Sequence, residues 1–290
     1  MLRSTLRFGL FPTFLLVGNA LGIWMAQIDA PIWQRVSVLV VAIAVLLWAE
    51  RVLPYDKAWN TNHNDSLRDI LHATVNTALH YIGIFLLPLF ASFGLFAIWW
   101  PSSWPFWGQV VFSILFLDMG VTLTHYASHR WAQLWRFHAV HHSVERMYGF
   151  NGLMKHPVHQ TIETIGGITP LLLLGIPPAV ASAVIFAVAI QLLLQHANVD
   201  YRTGPFKYLF AIAEVHRFHH RKAAGEGDVN FGLFTTLWDH LLGTFYYAPE
   251  RIPASSLGIS DRPDYPKSYG AQLMEPFRPQ PTAPKASIVE

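Results

Sequence analysis

Long stretches of almost uninterrupted apolar residues constrain the fold of this chain more than any other feature. They cover about Phe8 to Gln27, Val36 to Trp48, Ile70 to Trp100 and Phe106 to Thr124. A membrane-spanning helix needs about 20 predominantly apolar residues. The sequence therefore predicts an all-α integral membrane protein, a helical bundle with about four transmembrane helices.

Two apolar regions do not fit a single uninterrupted transmembrane helix. Ile70 to Trp100 contains Pro88 and is longer than one span requires, which predicts a tilted or broken helix whose first turn lies at the interface. A further apolar region, Ile168 to Gln195, is interrupted by Pro177 and Pro178. One helix is not expected to continue through two prolines. Either a short re-entrant hairpin or a buried helix followed by a span fits this region.

The distribution of positive charge predicts the orientation. The first apolar stretch is followed by Trp24, Met25 and Gln27, not by a small-residue cleavage site, so we expect a retained helix. Cytoplasmic loops carry the excess of Lys and Arg, which places the N terminus, His125 to Met154 and Tyr201 to Glu250 in the cytoplasm. In a bacterium this would be the inner membrane. The residues on the predicted cytoplasmic side are Arg3, Arg7, Arg51, Lys57 and Arg68.

Composition and missing motifs exclude several classes of protein. A net charge of +2 does not indicate a nucleic-acid binder. The chain has no cysteine, which excludes disulfides, thiolate metal sites and cysteine-ligated clusters, so any metal must be held by nitrogen and oxygen. There is no H-E-x-x-H, G-x-S-x-G, G-x-G-x-x-G or Walker A motif, so zincin proteases, serine hydrolases and nucleotide sites are not indicated.

Histidines are concentrated in three clusters. Positions i, i+3 and i+4 share one helical face, so each cluster can direct two or three imidazoles toward one point. Imidazole suits Fe, Zn, Cu and Ni, and eight such ligands fit two metals better than one tetrahedral ion. The clusters are His125 with His129 (H-x3-H), His138 with His141 and His142 (H-x2-H-H), and His216 with His219 and His220 (H-x2-H-H).

Other polar residues extend this pattern. Asp118 lies seven residues before His125 on the same predicted face, and a carboxylate at membrane depth is a functional candidate. We expect it to accept the ring N–H of a ligating histidine, although a helix-packing hydrogen bond fits equally well. His196 can supply a ninth ligand. His156 and His159 are candidates for ligands, for donors behind the ligands, or for loop residues.

Together these motifs resemble the fatty acid hydroxylase superfamily, which includes sterol desaturases, sterol methyl oxidases and alkylglycerol-type ether lipid monooxygenases. The resembling stretch is roughly Asp118 to Tyr246. The run HHSVERMYGFNGLMKHPVHQ is closer to the bacterial and ether-lipid branch than to the sterol enzymes. The motifs in chain order are HYASH, FHAVHHS, KHP, HAN, EVHRFHH, NFG and LWDHLLGTF.

The resemblance implies a non-haem di-iron centre in a cytoplasmic, histidine-rich cap on a small helical membrane domain. Two positions depart from the family pattern. Tyr126 follows His125 where the family usually has Arg, and Leu192 stands four residues before His196 where some relatives have histidine. One metal would then be less fully ligated, or would recruit His156 or His159. The implied ligands are His125, His129, His138, His141, His142, His196, His216, His219 and His220.

The expected function follows from this resemblance. We expect an O2-dependent enzyme that hydroxylates a fatty acyl, ether or amino lipid near its polar head, with the head close to Tyr148, Asn151 and Lys155. A desaturase using the same site stays open. A metal transporter is disfavoured because the span interiors are nearly bare of polar groups. A zinc-dependent lipid hydrolase is disfavoured because catalytic zinc usually takes three protein ligands.

Domain organisation and partners complete the expectations. Residues 1–250 should form one membrane-embedded catalytic domain with its motif core at 118–246. Residues 251–290 are rich in Pro, Ser and Ala and should form a mobile tail. No haem, flavin or nicotinamide motif is present, so a separate cytoplasmic protein should supply electrons. Arg217, Arg221 and Lys222 could steer an acidic carrier or contact lipid phosphates.

Overall fold

The computed structural model describes residues 1–91, 99–223 and 225–279. Within these ranges the chain is helical, and β pairing is limited to three isolated bridges. This confirms the predicted all-α class. The α-helices are α1 (Leu2–Gln27, with a π-helical stretch at Thr13–Gly18), α2 (Ile32–Val52), α3 (Ser66–Ala91), α4 (Phe106–Arg130), α5 (Ala132–His142), α6 (Pro157–Leu173), α7 (Pro178–His196), α8 (Ala213–His219), α9 (Leu237–Leu242) and α10 (Tyr269–Met274).

Four of the described helices are long and apolar enough to cross a membrane: α1, α2, α4 and α7. The chain is thus a multi-pass membrane protein. Three of these helices coincide with predicted spans. The fourth, α7, begins at Pro178, so the helices break at the two prolines as predicted and a span follows. The preceding helix, α6, is only partly buried, with Ile165 57% exposed. Helix α3 continues through Pro88 to Ala91, and the rest of the predicted stretch to residue 98 lies outside the described residues.

Helices α4 and α6 approach each other closely because glycines face each other at their contact. A Cβ atom on Gly120 would overlap the carbonyl of Gly166, and one on Gly166 would overlap the Thr124 hydroxyl. Small residues of this kind let helix backbones meet in membranes, where van der Waals packing drives association. The contact fixes α6 against the helix that carries the first histidine cluster.

The segment that follows residue 250 packs onto the body of the protein in its described part. Ile252 and Leu257 are buried beside Trp59 and Phe218. Farther on, the Gln272 side chain lies 3.0 Å from Nε2 of His72 and donates to Ser143. Residues 251–279 therefore differ from the predicted mobile tail, since polar side-chain hydrogen bonds and scattered apolar residues hold them without any apolar periodicity. Residues 280–290 lie outside the described residues.

Candidate metal centre

Nine buried or nearly buried histidines converge where α4, α5, α7 and α8 meet. They separate into two sets, and within each set one nitrogen of every ring lies within 4.8 Å of the others. The five-histidine group contains His125, His129, His138, His142 and His219. The four-histidine group contains His141, His196, His216 and His220.

The ring nitrogens of the five-histidine group point at one another. Nε2 of His142 lies 3.0 Å from Nε2 of His138, 3.0 Å from Nε2 of His219 and 3.2 Å from Nε2 of His129. Nε2 of His125 lies 3.0 Å from Nε2 of His138. Helices α4, α5 and α8 thus bring five Nε2 atoms to one small volume.

The four-histidine group is built in the same way. Nε2 of His196 lies 3.4 Å from Nε2 of His141 and 3.2 Å from Nε2 of His216. Nε2 of His220 lies 3.2 Å from Nε2 of His216. The two groups are neighbours, because the rings of His142 and His220 are only 4.9 Å apart between centroids.

The hydrogen bonds on the other side of the rings decide what these close contacts mean. Nδ1 of His125, His129 and His219 faces the Phe231 carbonyl, the Asp228 carboxylate and the Val229 carbonyl at 2.9, 2.9 and 2.8 Å respectively. These oxygens only accept, so each Nδ1 carries the proton and each neutral ring directs an unprotonated Nε2 inward.

Converging lone pairs repel unless a cation lies between them, so the inward-facing Nε2 atoms cannot all be hydrogen-bonded to one another. The neutral state follows from burial: desolvation, reinforced by the neighbouring histidines, holds the pKa of the His138, His142 and His216 rings well below the ordinary value. The residues present therefore fit two metal ions bound by imidazole nitrogen. The oxygen atoms behind the rings would fix their orientation, as is usual for metal-ligating histidine.

Asp118 takes a different role from the expected one. Its carboxylate accepts hydrogen bonds from the backbone N–H groups of Leu233, Phe234 and Thr235 and from the Thr235 hydroxyl, at 2.6–3.0 Å. None of the described bonds to this carboxylate comes from a histidine. Asp118 lies about 10 Å below His125 along the helix, at ~1.5 Å per residue, which is too far for a direct bond. Its influence on the histidines passes through the loop it holds.

The two less certain histidines lie outside the four-histidine group. His156 caps α6 by accepting from Val158, and its Nε2 faces the Leu273 carbonyl at 3.1 Å. His159 packs on His138, with ring centroids 4.4 Å apart, and its Nε2 lies 2.9 Å from the Ser128 hydroxyl. Neither histidine joins the four-histidine group that contains His196. That group therefore gains no substitute for the histidine that some relatives have at the position of Leu192.

Glu163 is a site residue that the sequence analysis missed. It forms a third set of potential ligands with His138 and His159. Lys155, however, places its ammonium 2.5 Å from the Glu163 carboxylate, so a cation is already bound there. The other carboxylate oxygen, Oε1, is buried without a hydrogen-bond partner among the described residues. The spacing in the sequence could have identified it, because Glu163 lies one helical turn after His159 and so shares its helical face.

A small cavity joins this ion pair to both histidine groups. It has an empty volume of about 240 Å³, part of it open to solvent. The histidines that line it are His125, His141, His196 and His216. Its remaining lining residues are Val121, Lys155, Glu163, Gln195, Phe231, Gly232 and Leu233.

Comparison with known proteins agrees with this arrangement. The family description "Fatty acid hydroxylase" matches residues 110–244. Ornithine lipid hydroxylase OlsE of Rhizobium tropici is 33% identical over 85% of this chain and 76% of its own length. The chain belongs to the fatty acid hydroxylase family.

More distant relatives of this fatty acid hydroxylase family member also carry lipid-oxidising names. Human alkylglycerol monooxygenase is 28% identical over 57% of this chain and 36% of its own length. Sphingolipid C4-hydroxylase sur2 of Schizosaccharomyces pombe is 26% identical over 79% of this chain and 74% of its own length. No solved structure matches the chain. These relatives agree with the predicted superfamily and with its bacterial and ether-lipid branch.

Proposed function

We propose that this protein is a di-iron, O2-dependent lipid hydroxylase. The observation that carries the proposal is the convergence of inward-facing, neutral Nε2 atoms into two adjacent groups at one end of lipid-facing helices. Five and four imidazoles suit two redox-active ions better than the three protein ligands of a typical catalytic zinc. Bound iron would supply the activation of O2 and the attack on an unactivated C–H bond.

The protein's own residues would orient the ligands and shape the space beside them. Asp228 and the carbonyls of Phe231 and Val229 hold three rings of the five-histidine group. The lining of the cavity beside both groups includes apolar Val121 and Leu233 and the Lys155–Glu163 ion pair. An apolar C–H bond adjacent to a polar head matches a lining that offers both kinds of contact.

The polar head would meet Lys155 and Glu163, which line the cavity. Of the three residues predicted to lie near it, Tyr148 and Asn151 both donate to the Asp69 carboxylate and so hold α3 in place. Oε1 of Glu163 has no hydrogen-bond partner among the described residues, although His159 Nδ1 lies 3.8 Å away, and it is an acceptor for an amine, amide or hydroxyl of a lipid. We therefore propose an amino-acid-containing lipid, such as the ornithine lipid named for the bacterial relative, as substrate.

Hydroxylation requires a source of electrons. One oxygen atom of O2 would enter the C–H bond and the other would leave as water, so two electrons and two protons must come from outside the substrate. We propose a separate electron-transfer protein on the cytoplasmic face. Arg217 cannot dock it, because its guanidinium is buried on Tyr55 and donates to the carbonyls of Ala197 and Val199. Lys222 is exposed and stays available.

Lipid mass spectrometry tests this proposal. Cells that express the protein should contain one lipid class with one added oxygen near the head, and cells that express His142→Ala should not. Loss of two hydrogens without added oxygen would instead identify a desaturase. Metal analysis of protein purified without added metal should find iron. A full lipid profile without change, or a site filled by zinc with activity retained, would contradict the proposal.

A further inference from the structure

The segment from Val229 to Leu242 follows an unusual path beside α4. It is an irregular loop, residues 229–236, followed by the short helix α9. Asp118, which accepts from the loop, lies midway between the exposed Trp107 and Trp131. Trp107 and Trp131 are 11 and 13 residues from Asp118, which is about 16 and 20 Å along the helix axis at ~1.5 Å per residue. Exposed tryptophans mark membrane interfaces, so the loop reaches the depth of the middle of a span.

A second contact places the neighbouring residues 208–211 within the leaflet on the histidine side. The loop pairs with the neighbouring residues 208–211: Thr236 N–H donates to the Leu209 carbonyl, and Ala211 N–H donates to the Phe234 carbonyl. The ring of Phe210 lies 5.7 Å from that of Phe11 in α1. Phe11 is 13 residues, about 20 Å at ~1.5 Å per residue, from the exposed Trp24 at the far end of α1. It is four residues, about 6 Å, from Arg7, which pairs with Asp200 at the near end.

Polar side chains of the spans satisfy the backbone of this loop. Asp118 accepts from three consecutive N–H groups of the loop. On the carbonyl side, Gln191 donates to Ala211 and Leu233, and Gln195 donates to Gly232. Irregular backbone is tolerated at membrane depth only where protein groups or an aqueous cavity satisfy it. This requirement explains an acidic residue and two amides inside apolar helices.

The outer side of the segment is largely apolar. Leu237, Leu241 and Leu242 of α9 are exposed, with Leu241 at 70%. His240 is also exposed, and its Nε2 faces the Tyr208 carbonyl at 3.1 Å. The acidic side chain of the segment, Asp239, is fully buried and accepts from the N–H groups of Phe231 and Gly232. The segment thus shows leucines outward and keeps its carboxylate inward.

We propose that residues 229–242 form a re-entrant membrane element whose helix α9 lies among the acyl chains of the leaflet on the histidine side. Phe231, Gly232 and Leu233 of the same element line the cavity beside the histidines. The element is therefore the partition between that cavity and the bilayer, and acyl chains approach the site along it.

Single-cysteine spin labelling of the full-length protein in lipid nanodiscs tests this element, since the chain has no native cysteine. Labels would be placed at Leu241→Cys, at Val41→Cys in the middle of α2 as a bilayer reference, and at Glu226→Cys as an aqueous reference. Leu241 and Val41 are exposed by 70% and 61%, so labelling should not disturb packing. Collisions with O2 and with a water-soluble nickel chelate report depth.

The expected result is an O2-to-nickel collision ratio at position 241 that is well above the ratio at position 226 and at or below the ratio at position 41. A ratio that matches position 226 would place α9 at the aqueous surface and overturn the proposal. Weak collisions with both reagents would show α9 covered by protein instead of lipid and would overturn it equally. None of these results depends on the enzyme's activity.

Discussion

The two histidine groups differ in how firmly the protein holds their rings. In the five-histidine group, three Nδ1 atoms face oxygen acceptors at 2.8–2.9 Å. In the four-histidine group only His141 has such a partner, the Met154 carbonyl at 3.0 Å, since His196 has a long contact of 3.4 Å to Leu192. Nδ1 of His216 and His220 has no partner among the described residues, and in the five-histidine group the same holds for His138.

This difference suggests a division of labour between the two proposed ions. Groups behind the ligands typically change metal affinity 10–100-fold, so the five-histidine group should bind its ion more tightly. The four-histidine group supplies three of the four histidines that line the cavity. A less constrained ion beside the cavity is the one best placed to change its coordination during turnover.

The largest effect is expected from removing a ligand at the centre of the tighter group. His142→Ala deletes a ring whose Nε2 faces three others and which lies beside His220 of the other group. Activity should fall to background and the bound metal to less than half. His63→Ala, outside both groups, is the matched control. Full metal content in His142→Ala, measured by elemental analysis, would contradict the assignment.

The second prediction separates the two groups directly. His220→Ala should abolish turnover while leaving the five-histidine group intact, so about half of the metal should remain. The comparison requires elemental analysis and a spectroscopic measure of coupling between the two ions in the same sample. If His220→Ala loses both ions, the two groups do not bind independently. If His220→Ala and His142→Ala retain the same amount of metal, the proposed difference in affinity disappears.

The sequence predicted which nine histidines converge but not their division between two groups. Each H-x2-H-H cluster was expected to aim at one point, whereas His138 and His142 enter one group and His141 enters the other. Helix geometry explains this result, because neighbouring residues differ by about 100° around the axis at ~3.6 residues per turn. Adjacent histidines such as His219 and His220 must therefore point in different directions.

Other features depend on contacts distant in sequence and could not be read from local spacing. Asp228 supports His129 from 99 residues away, and Asp118 binds a loop 115 residues away. Gln272 reaches His72 across 200 residues. Apolar periodicity identifies spans because it is local, but these polar anchors have no pattern before the chain is folded.

A smaller effect is expected from Asp228, which holds one ring without facing the metal. Its carboxylate accepts from His129 Nδ1 at 2.9 Å, and this hydrogen bond holds the pKa of Asp228 below its ordinary value. Asp228→Ala should weaken binding in the five-histidine group by about 10–100-fold. Asp261→Ala, at an exposed acidic residue outside both groups, serves as control. Chelator competition should show faster loss of only one ion, and simultaneous loss of both would contradict the separation.

The smallest effect is expected from Asp118→Asn, because Asp118 acts on the histidines only through the loop. An amide keeps the volume and one acceptor oxygen, which can still serve Leu233 and Phe234. The Thr235 hydroxyl can rotate to accept from the new amide, so only the Thr235 N–H loses its partner. An unsatisfied buried donor costs about 1–3 kcal/mol.

This loss should lower thermal stability, measured by unfolding in detergent, more than it lowers metal affinity. The loop carries the Phe231 carbonyl that holds His125, so any loss of metal should be confined to the five-histidine group and be weaker than in Asp228→Ala. Thr235→Val removes the hydroxyl but keeps all three backbone bonds, and it should be milder still. If Asp118→Asn instead released the ion of the four-histidine group, the loop would support both groups, and their difference would need another cause.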